Sequence, residues 1–309
     1  MILNRGWSYR EQVGADAAGR TVLAYLTETR LHSAEKEWAA RIERGEVEVD
    51  GILARGDVTL RAGQTITWNR PPWNEPQVPT NFAIVFEDDS ILVVDKPSGL
   101  PTMPAGGFLD QTLLALIRRE YPGASPLHRL GRHTSGLVVF AKTRTAASRL
   151  ARAWRDRDVK KTYRALGLGS TRTEMFVIDV PIGPVPHPLL GTVQAAREGG
   201  KPSHSVAVVL EQRRDQTLFR VDITTGRPHQ IRIHMAYAGH PLIGDPLYET
   251  GGDVKRRPGL PGDGGYLLHA EKLEFTHPQT GERMTVTATP PPELQTHEEL
   301  TSASPRAIV

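Results

Sequence analysis

The chain has no cysteine in its 309 residues, which excludes disulfides, thiol catalysis and thiolate metal sites. It has no apolar run of the length needed to cross a bilayer. Its first twenty residues are largely polar and charged, with no secretory apolar core. The net charge is only +3, so a site for a polyanion has to come from how the charge is distributed. What is left is a cytoplasmic globular protein. An apolar fraction of 39% and a charged fraction of 24% are ordinary for that class. The length predicts one large domain and a smaller one.

The charge is uneven. Residues 118–164 hold thirteen Lys/Arg against three Asp/Glu, whereas residues 1–75 hold ten against eleven. An excess of bases with too few acids nearby to pair them suggests a polyanion partner contacted through its phosphates. A salt-bridged helix surface is the competing reading. Thirty of the 38 basic residues are arginine, a bias that weakens the meaning of any single one.

Residues 21–30 carry a helical apolar stripe. Ser33 is the expected N-cap of the next helix, with Lys36 where a capping-box Glu would sit, and Gly45 is its expected stop. Residues 46–51 alternate and end in Asp50-Gly51, a hairpin signal, and Gln64–Trp68 reads as a strand. Four prolines in residues 70–79 predict a stiff, extended linker. Beyond it, strands are expected at 84–86, 91–94, in the apolar run 137–141, and at 160–166, 218–223, 267–269 and 272–275. Helices are expected at 111–120, 145–154 and 229–238. Arg149, Arg152 and Arg155 form a ridge on the second of these helices, suited to tracking phosphates. From Pro290 onward the chain reads as a loose polar tail. Strands and helices mix without βαβ alternation, which predicts an α+β fold.

Four histidines, His229, His234, His240 and His269, invite a metal reading. Residues five apart on a helix sit about 140° apart, so His229 and His234 do not share a face, and no metal site is expected. His234 and Tyr237 read as packing or capping residues.

Four segments together carry a specific resemblance. They are HRLGRHTSGLVVFAKT (128–143), KKTYRAL (160–166), TGRPHQIRIHMAYAGHPLIGDPLY (225–248) and LLHAEKLEFTHPQTGE (267–282). In order and spacing they resemble the RluA-type RNA pseudouridine synthases over about residues 84–290. The helices, RGEVEVDG and LRAGQTITW of residues 20–70 resemble the alpha-L RNA-binding motif; a structural cap that binds nothing is the bland alternative. The resemblance implies a pseudouridine-synthase fold, with a mixed, largely antiparallel central sheet flanked by helices. Its expected layout is an alpha-L-like module at 1–70, a linker at 71–80, the synthase-like domain at 81–290 and a tail at 291–309. It implies isomerisation of uridine to pseudouridine in rRNA or tRNA by a monomer that needs no cofactor. The target base leaves its stack and enters a pocket.

Carried onto this chain, the base-packing tyrosine is Tyr163. The arginine that pairs with the signature carboxylate is Arg232, and the arginine at the flipped nucleotide is Arg129. Arg132, His133, Thr134, Ser135, Lys142, Arg149, Arg152, Lys161 and Arg227 complete the candidate RNA contacts. The signature carboxylate position is Gly131, which has no group to act as nucleophile, acid or base. Relatives reading His-Arg-Leu-Gly-Arg-x-Thr-Ser-Gly form a branch of the family. Three readings follow. The acid comes from elsewhere, with Asp95 and Asp245 as candidates, although both also read as turn residues. Or the chain is an RNA-binding relative without isomerase activity. Or His133, more simply a phosphate contact, acts as a general base.

Overall fold

The computed structural model describes residues 2–302. By its internal contacts the chain divides into two units, residues 2–76 with 186–192 and residues 77–185 with 193–302.

In the smaller unit the strands Trp7–Gln12, Thr65–Arg70, Val47–Val49 and Ile52–Leu53 form one antiparallel sheet in that order. The helices Val22–Thr29 and Glu35–Glu43 close a core built on Val22, Leu26, Trp38, Val47 and Ile66. Thr21 caps the first helix by accepting from the Ala24 amide at 3.2 Å. The second helix is capped by Ala34 rather than Ser33. The Glu37 carboxylate accepts from the Ala34 amide at 2.8 Å, so an acid does sit at the third helical position, one residue beyond Lys36. The hairpin turn falls at Asp50 and Gly51, both at positive φ, as a two-residue primed turn requires. Trp7–Gln12 lies in a segment that reads as merely polar. Its pairing with Thr65–Arg70 is long-range and leaves it exposed, so no apolar alternation marks it. Inside the proline-rich stretch, Asn74–Glu75 pair with Ile2–Leu3.

In the larger unit, ten strands among the described residues form one sheet. Its main path runs Met175–Ile178, Ser205–Arg213, Gln216–Ile223, Lys160–Leu168, Leu268–Thr276, Ser135–Ala141, Ile91–Lys96 and Ala83–Glu87. Every pairing along it is antiparallel except that of Ser135–Ala141 with Leu268–Thr276. The fold is therefore α+β with a mixed, largely antiparallel sheet. Ser135–Ala141 and Ile91–Lys96 are nearly all buried, which is why they read as continuous apolar runs. The helices Leu113–Glu120 and Arg144–Arg155 start at Thr112 and Thr143, whose hydroxyls accept from the amides of Ala115 and Ala146. The helix Gln230–Tyr237 is buried from Gln230 through Ala236. No helix is long and apolar enough to cross a membrane among the described residues.

Two further expectations are corrected. The separate strands at 267–269 and 272–275 are one strand, Leu268–Thr276. Its register slips between the pairs Tyr163↔Ala270 and Thr162↔Lys272, leaving Glu271 as the unmatched residue of a bulge. The segment after Pro290 is not loose as far as it is described. Leu294 is fully buried against Leu166 and Leu218. Glu299, in the helix His297–Ser302, grips Arg164 with both oxygens at 2.7 and 3.1 Å. One apolar anchor and a buried guanidinium that takes two acids outweigh the polar composition. Residues 303–309 of the expected tail lie outside the described residues.

Candidate active site

The single parallel pairing builds the site. Ser135 sits opposite His269 and Gly136 opposite Ala270. A Cβ on Gly136 would lie 2.3 Å from the Ala270 carbonyl oxygen, so only glycine allows the strands this close. Because the two strands start side by side, the segments leading into them also meet. These are the signature loop ending at Thr134 and the segment ending at Leu267. Gly131 and Tyr266 face each other there.

The cavity at this point has a volume of about 370 Å³, within the range of small-ligand sites. Its apolar wall is Ile223, Ile231, Leu268 and the Tyr163 ring. Tyr163 is buried, and desolvation pushes its phenol up to about 12, so it stays a neutral hydroxyl. Arg129, Lys161 and Arg227 line the cavity as cations. Among the described residues Arg129 and Lys161 have no acid partner, and the Arg227 guanidinium donates to the Pro202 carbonyl, at 3.3 Å. Unpaired cations beside an apolar wall are what a base flanked by phosphates requires.

Arg232 lies at the back of the cavity, 2% exposed. Asp245 holds it bidentately, with Nε–Oδ2 at 2.6 Å and Nη2–Oδ1 at 2.7 Å. The Leu247 and Tyr248 amides also donate to Asp245 Oδ1, at 2.8 and 3.1 Å. Burial alone would raise the Asp245 pKa. The hydrogen bonds and charge of Arg232 and the two amides outweigh it and leave the carboxyl below its ordinary value. Asp245 is thus the acid that compensates Arg232. All four of its contacts point to structure, and it does not line the cavity. Asp95 does not line it either. It lies on Ile91–Lys96 opposite Leu137, and desolvation raises its pKa. Among the described residues no carboxylate lines the cavity.

His229 sits at the start of the Gln230 helix in the left-handed region, at φ 58°. The Tyr248 hydroxyl donates to the Gln194 carbonyl at 2.7 Å, so at 2.8 Å it accepts from His229 Nδ1. Burial and the Arg232 charge press the His229 pKa down to about 3. The ring is neutral, with Nε2 left as an acceptor.

Arg129, Gly131, Thr134, Lys161, Tyr163, Arg227 and Arg232, all expected from the sequence, come together here. The other candidates do not line the cavity. Arg132 donates to the Gly99 carbonyl at 3.2 Å and covers the Phe108 ring. The Ser135 hydroxyl is 2.9 Å from His269 Nδ1. Lys142 pairs with Glu87 at 2.8 Å, Arg149 donates to the Pro278 carbonyl at 2.6 Å, and Arg152 faces Asp156 at 3.5 Å. His133 stands edge-on to Tyr266, 6.4 Å between centroids. Burial, followed by the Arg132 charge, holds its pKa below the ordinary value. The lining residues that escaped the sequence reading as site residues include Tyr266, His229 and Trp154. The position of Tyr266, two residues before the Leu-His-Ala segment, was the available signal.

Comparison with known proteins places this architecture. The family model described as RNA pseudouridylate synthase matches residues 90–237. An uncharacterized RNA pseudouridine synthase of Synechocystis is 41% identical over 285 residues, covering 91% of this chain and 98% of that one. The chain belongs to the RNA pseudouridine synthase family. RNA pseudouridine synthase 5 of Arabidopsis thaliana is 35% identical, with 96% of each chain covered. Ribosomal large subunit pseudouridine synthase D of Xanthomonas campestris is 37% identical, covering 93% of this chain and 91% of that one. The solved structure of human RNA pseudouridylate synthase domain containing 1 superposes with a TM-score of 0.55 at 28% identity, over 74% of this chain and 97% of that one. Members of the family are isomerases.

Proposed function

We propose that this chain isomerises uridine to pseudouridine in a structured RNA, rRNA or tRNA, acting as a cytoplasmic monomer. The observation that carries the reading is the cavity. An apolar wall with a neutral tyrosine stands beside Arg129 and Lys161, cations that no acid among the described residues satisfies. A flipped uridine packs on Tyr163, its flanking phosphates meet Arg129, Lys161 and Arg227, and Arg232, locked by Asp245, borders the reacting sugar. The isomerisation needs no co-reactant, because the atoms of substrate and product are the same. The test is to map pseudouridines in cellular RNA with and without the gene. Sites that vanish on deletion and return with the wild-type gene support the reading.

A second reading has one observation in its favour. Gly131 replaces the signature carboxylate, and no carboxylate lines the cavity among the described residues. Such a chain holds the RNA and leaves the uridine as it is. Under that reading the deletion changes no pseudouridine, while purified protein still retains RNA on a filter.

A further inference from the structure

The place left by the missing side chain at position 131 is not empty. A Cβ on Gly131 would lie 2.9 Å from the Tyr266 hydroxyl and 3.4 Å from Thr134 Oγ1. Gly131 does not have a positive φ, so its backbone conformation does not demand glycine; the neighbouring phenol does. Tyr266 is 4% exposed and lines the cavity. The Arg232 guanidinium lies 4.3 Å from its ring centroid, a cation–π contact that fixes the ring, and Asp245 fixes Arg232 in turn. The hydroxyl itself is only loosely held. Its partner is Thr134 Oγ1 at 3.4 Å, long for an O–H···O bond. A buried phenol usually secures its hydroxyl better than this. The ring is clamped and the reactive atom is left available.

We propose that the Tyr266 hydroxyl takes the place of the absent carboxylate and is the nucleophile of the isomerisation. The inference rests on the isomerase reading above. Phenols serve as nucleophiles at glycosidic carbons in other enzymes, and splitting the reaction into two displacements is the usual gain of covalent catalysis. In the first step Tyr266 Oη bonds to C1′ and the C1′–N1 bond breaks. The phenol proton passes to the departing uracil, which is released as the neutral base and stays in the cavity. The base turns to present C5. In the second step C5 bonds to C1′ and the bond from C1′ to Tyr266 Oη breaks. The phenolate then takes the proton that C5 carried, restoring the phenol. Nothing is oxidised or reduced, and no co-reactant enters. The other nearby groups are less suited. His229 commits Nδ1 to Tyr248, and Asp245, which does not line the cavity, spends its oxygens on Arg232 and two amides.

The test uses RNA labelled with [5-³H]uridine and purified from cells lacking the gene, incubated with full-length protein. Wild type is expected to release tritium as C5 loses its proton. Tyr266→Phe is expected to lose that release by about 10³-fold or more, while keeping its filter-binding affinity for the same RNA and its melting temperature. Release by Tyr266→Phe at the wild-type rate overturns the inference and leaves the isomerase reading standing. No release by wild type overturns the isomerase reading and the inference with it. If Tyr266→Phe does not fold, acid-quenched wild-type reactions decide by peptide mass. A nucleotide adduct on Tyr266 supports the proposal, and an adduct elsewhere or none overturns it.

Discussion

Gly131 and Tyr266 form a steric pair that can be measured without knowing the RNA. Gly131→Ala puts a methyl carbon 2.9 Å from the Tyr266 hydroxyl, about 0.5 Å inside the 3.4 Å at which ordinary contact begins. The obstacle is the tip of a buried ring pinned beneath Arg232, so it has little freedom to give way. Overpacking of this kind costs about 1–3 kcal/mol. For a unit of roughly 200 residues that is a fall of about 2–12 °C in the melting temperature. The assay is thermal unfolding of the full chain for wild type, Gly131→Ala, Tyr266→Phe and the double variant. Removing the hydroxyl removes the clashing atom, so in the Phe background the alanine should cost about 0.5 kcal/mol or less, and the cycle should show about 1 kcal/mol or more of coupling. An equal cost of Gly131→Ala in both backgrounds refutes the pairing. The same geometry bears on restoring the acid. Gly131→Asp alone meets the phenol and should destabilise, instead of simply returning a carboxylate to the family's position.

Asp245→Ala leaves the Arg232 charge buried and unpaired. It should cost about 3–5 kcal/mol, read as a lower denaturation midpoint, and an unchanged midpoint would contradict the structural role of the pair. Leu294→Ala opens a hole against Leu166 and Leu218 and should cost about 2–5 kcal/mol; a negligible cost would mean the C-terminal segment is not docked. Folded His229 titrates near 3, below its unfolded value of about 6.5. Between these values the unfolded state binds a proton that the folded state does not. His229 therefore contributes nothing pH-dependent above about 6.5 and subtracts stability as pH falls toward 3. His229→Asn, tolerated at positive φ, should flatten denaturation midpoints across that window, and an unchanged slope would show that the ring is not held neutral.

Much of this protein is local and therefore legible in its sequence. The apolar stripe of residues 21–30 announces a helix, Asp50-Gly51 announces a primed hairpin turn, and continuous apolar runs announce the buried strands. Family motifs give Tyr163, Arg129 and Arg232 because each sits within a short, contiguous pattern. The exposed edge strand Trp7–Gln12 was invisible because its partner, Thr65–Arg70, lies far along the chain and neither face of it is buried. Motif membership does not by itself place a side chain at the cavity. Arg132, Ser135, Lys142, Arg149 and Arg152 belong to the matching segments, yet their side chains lie off the cavity against carbonyls, a histidine and surface acids.

The sequence by itself determined the family, the α+β class, the missing carboxylate and the basic character of the segment around it. Only the tertiary structure decided what stands where the carboxylate would be. Gly131 and Tyr266 are brought together by one parallel strand pairing, and Arg232 and Asp245 by a turn after a buried helix. Periodicity and capping record each residue's own neighbourhood. The meeting of two strand starts, Ser135 and Leu268, far apart in the chain, is set by packing of the whole sheet, and that meeting places the phenol beside the glycine.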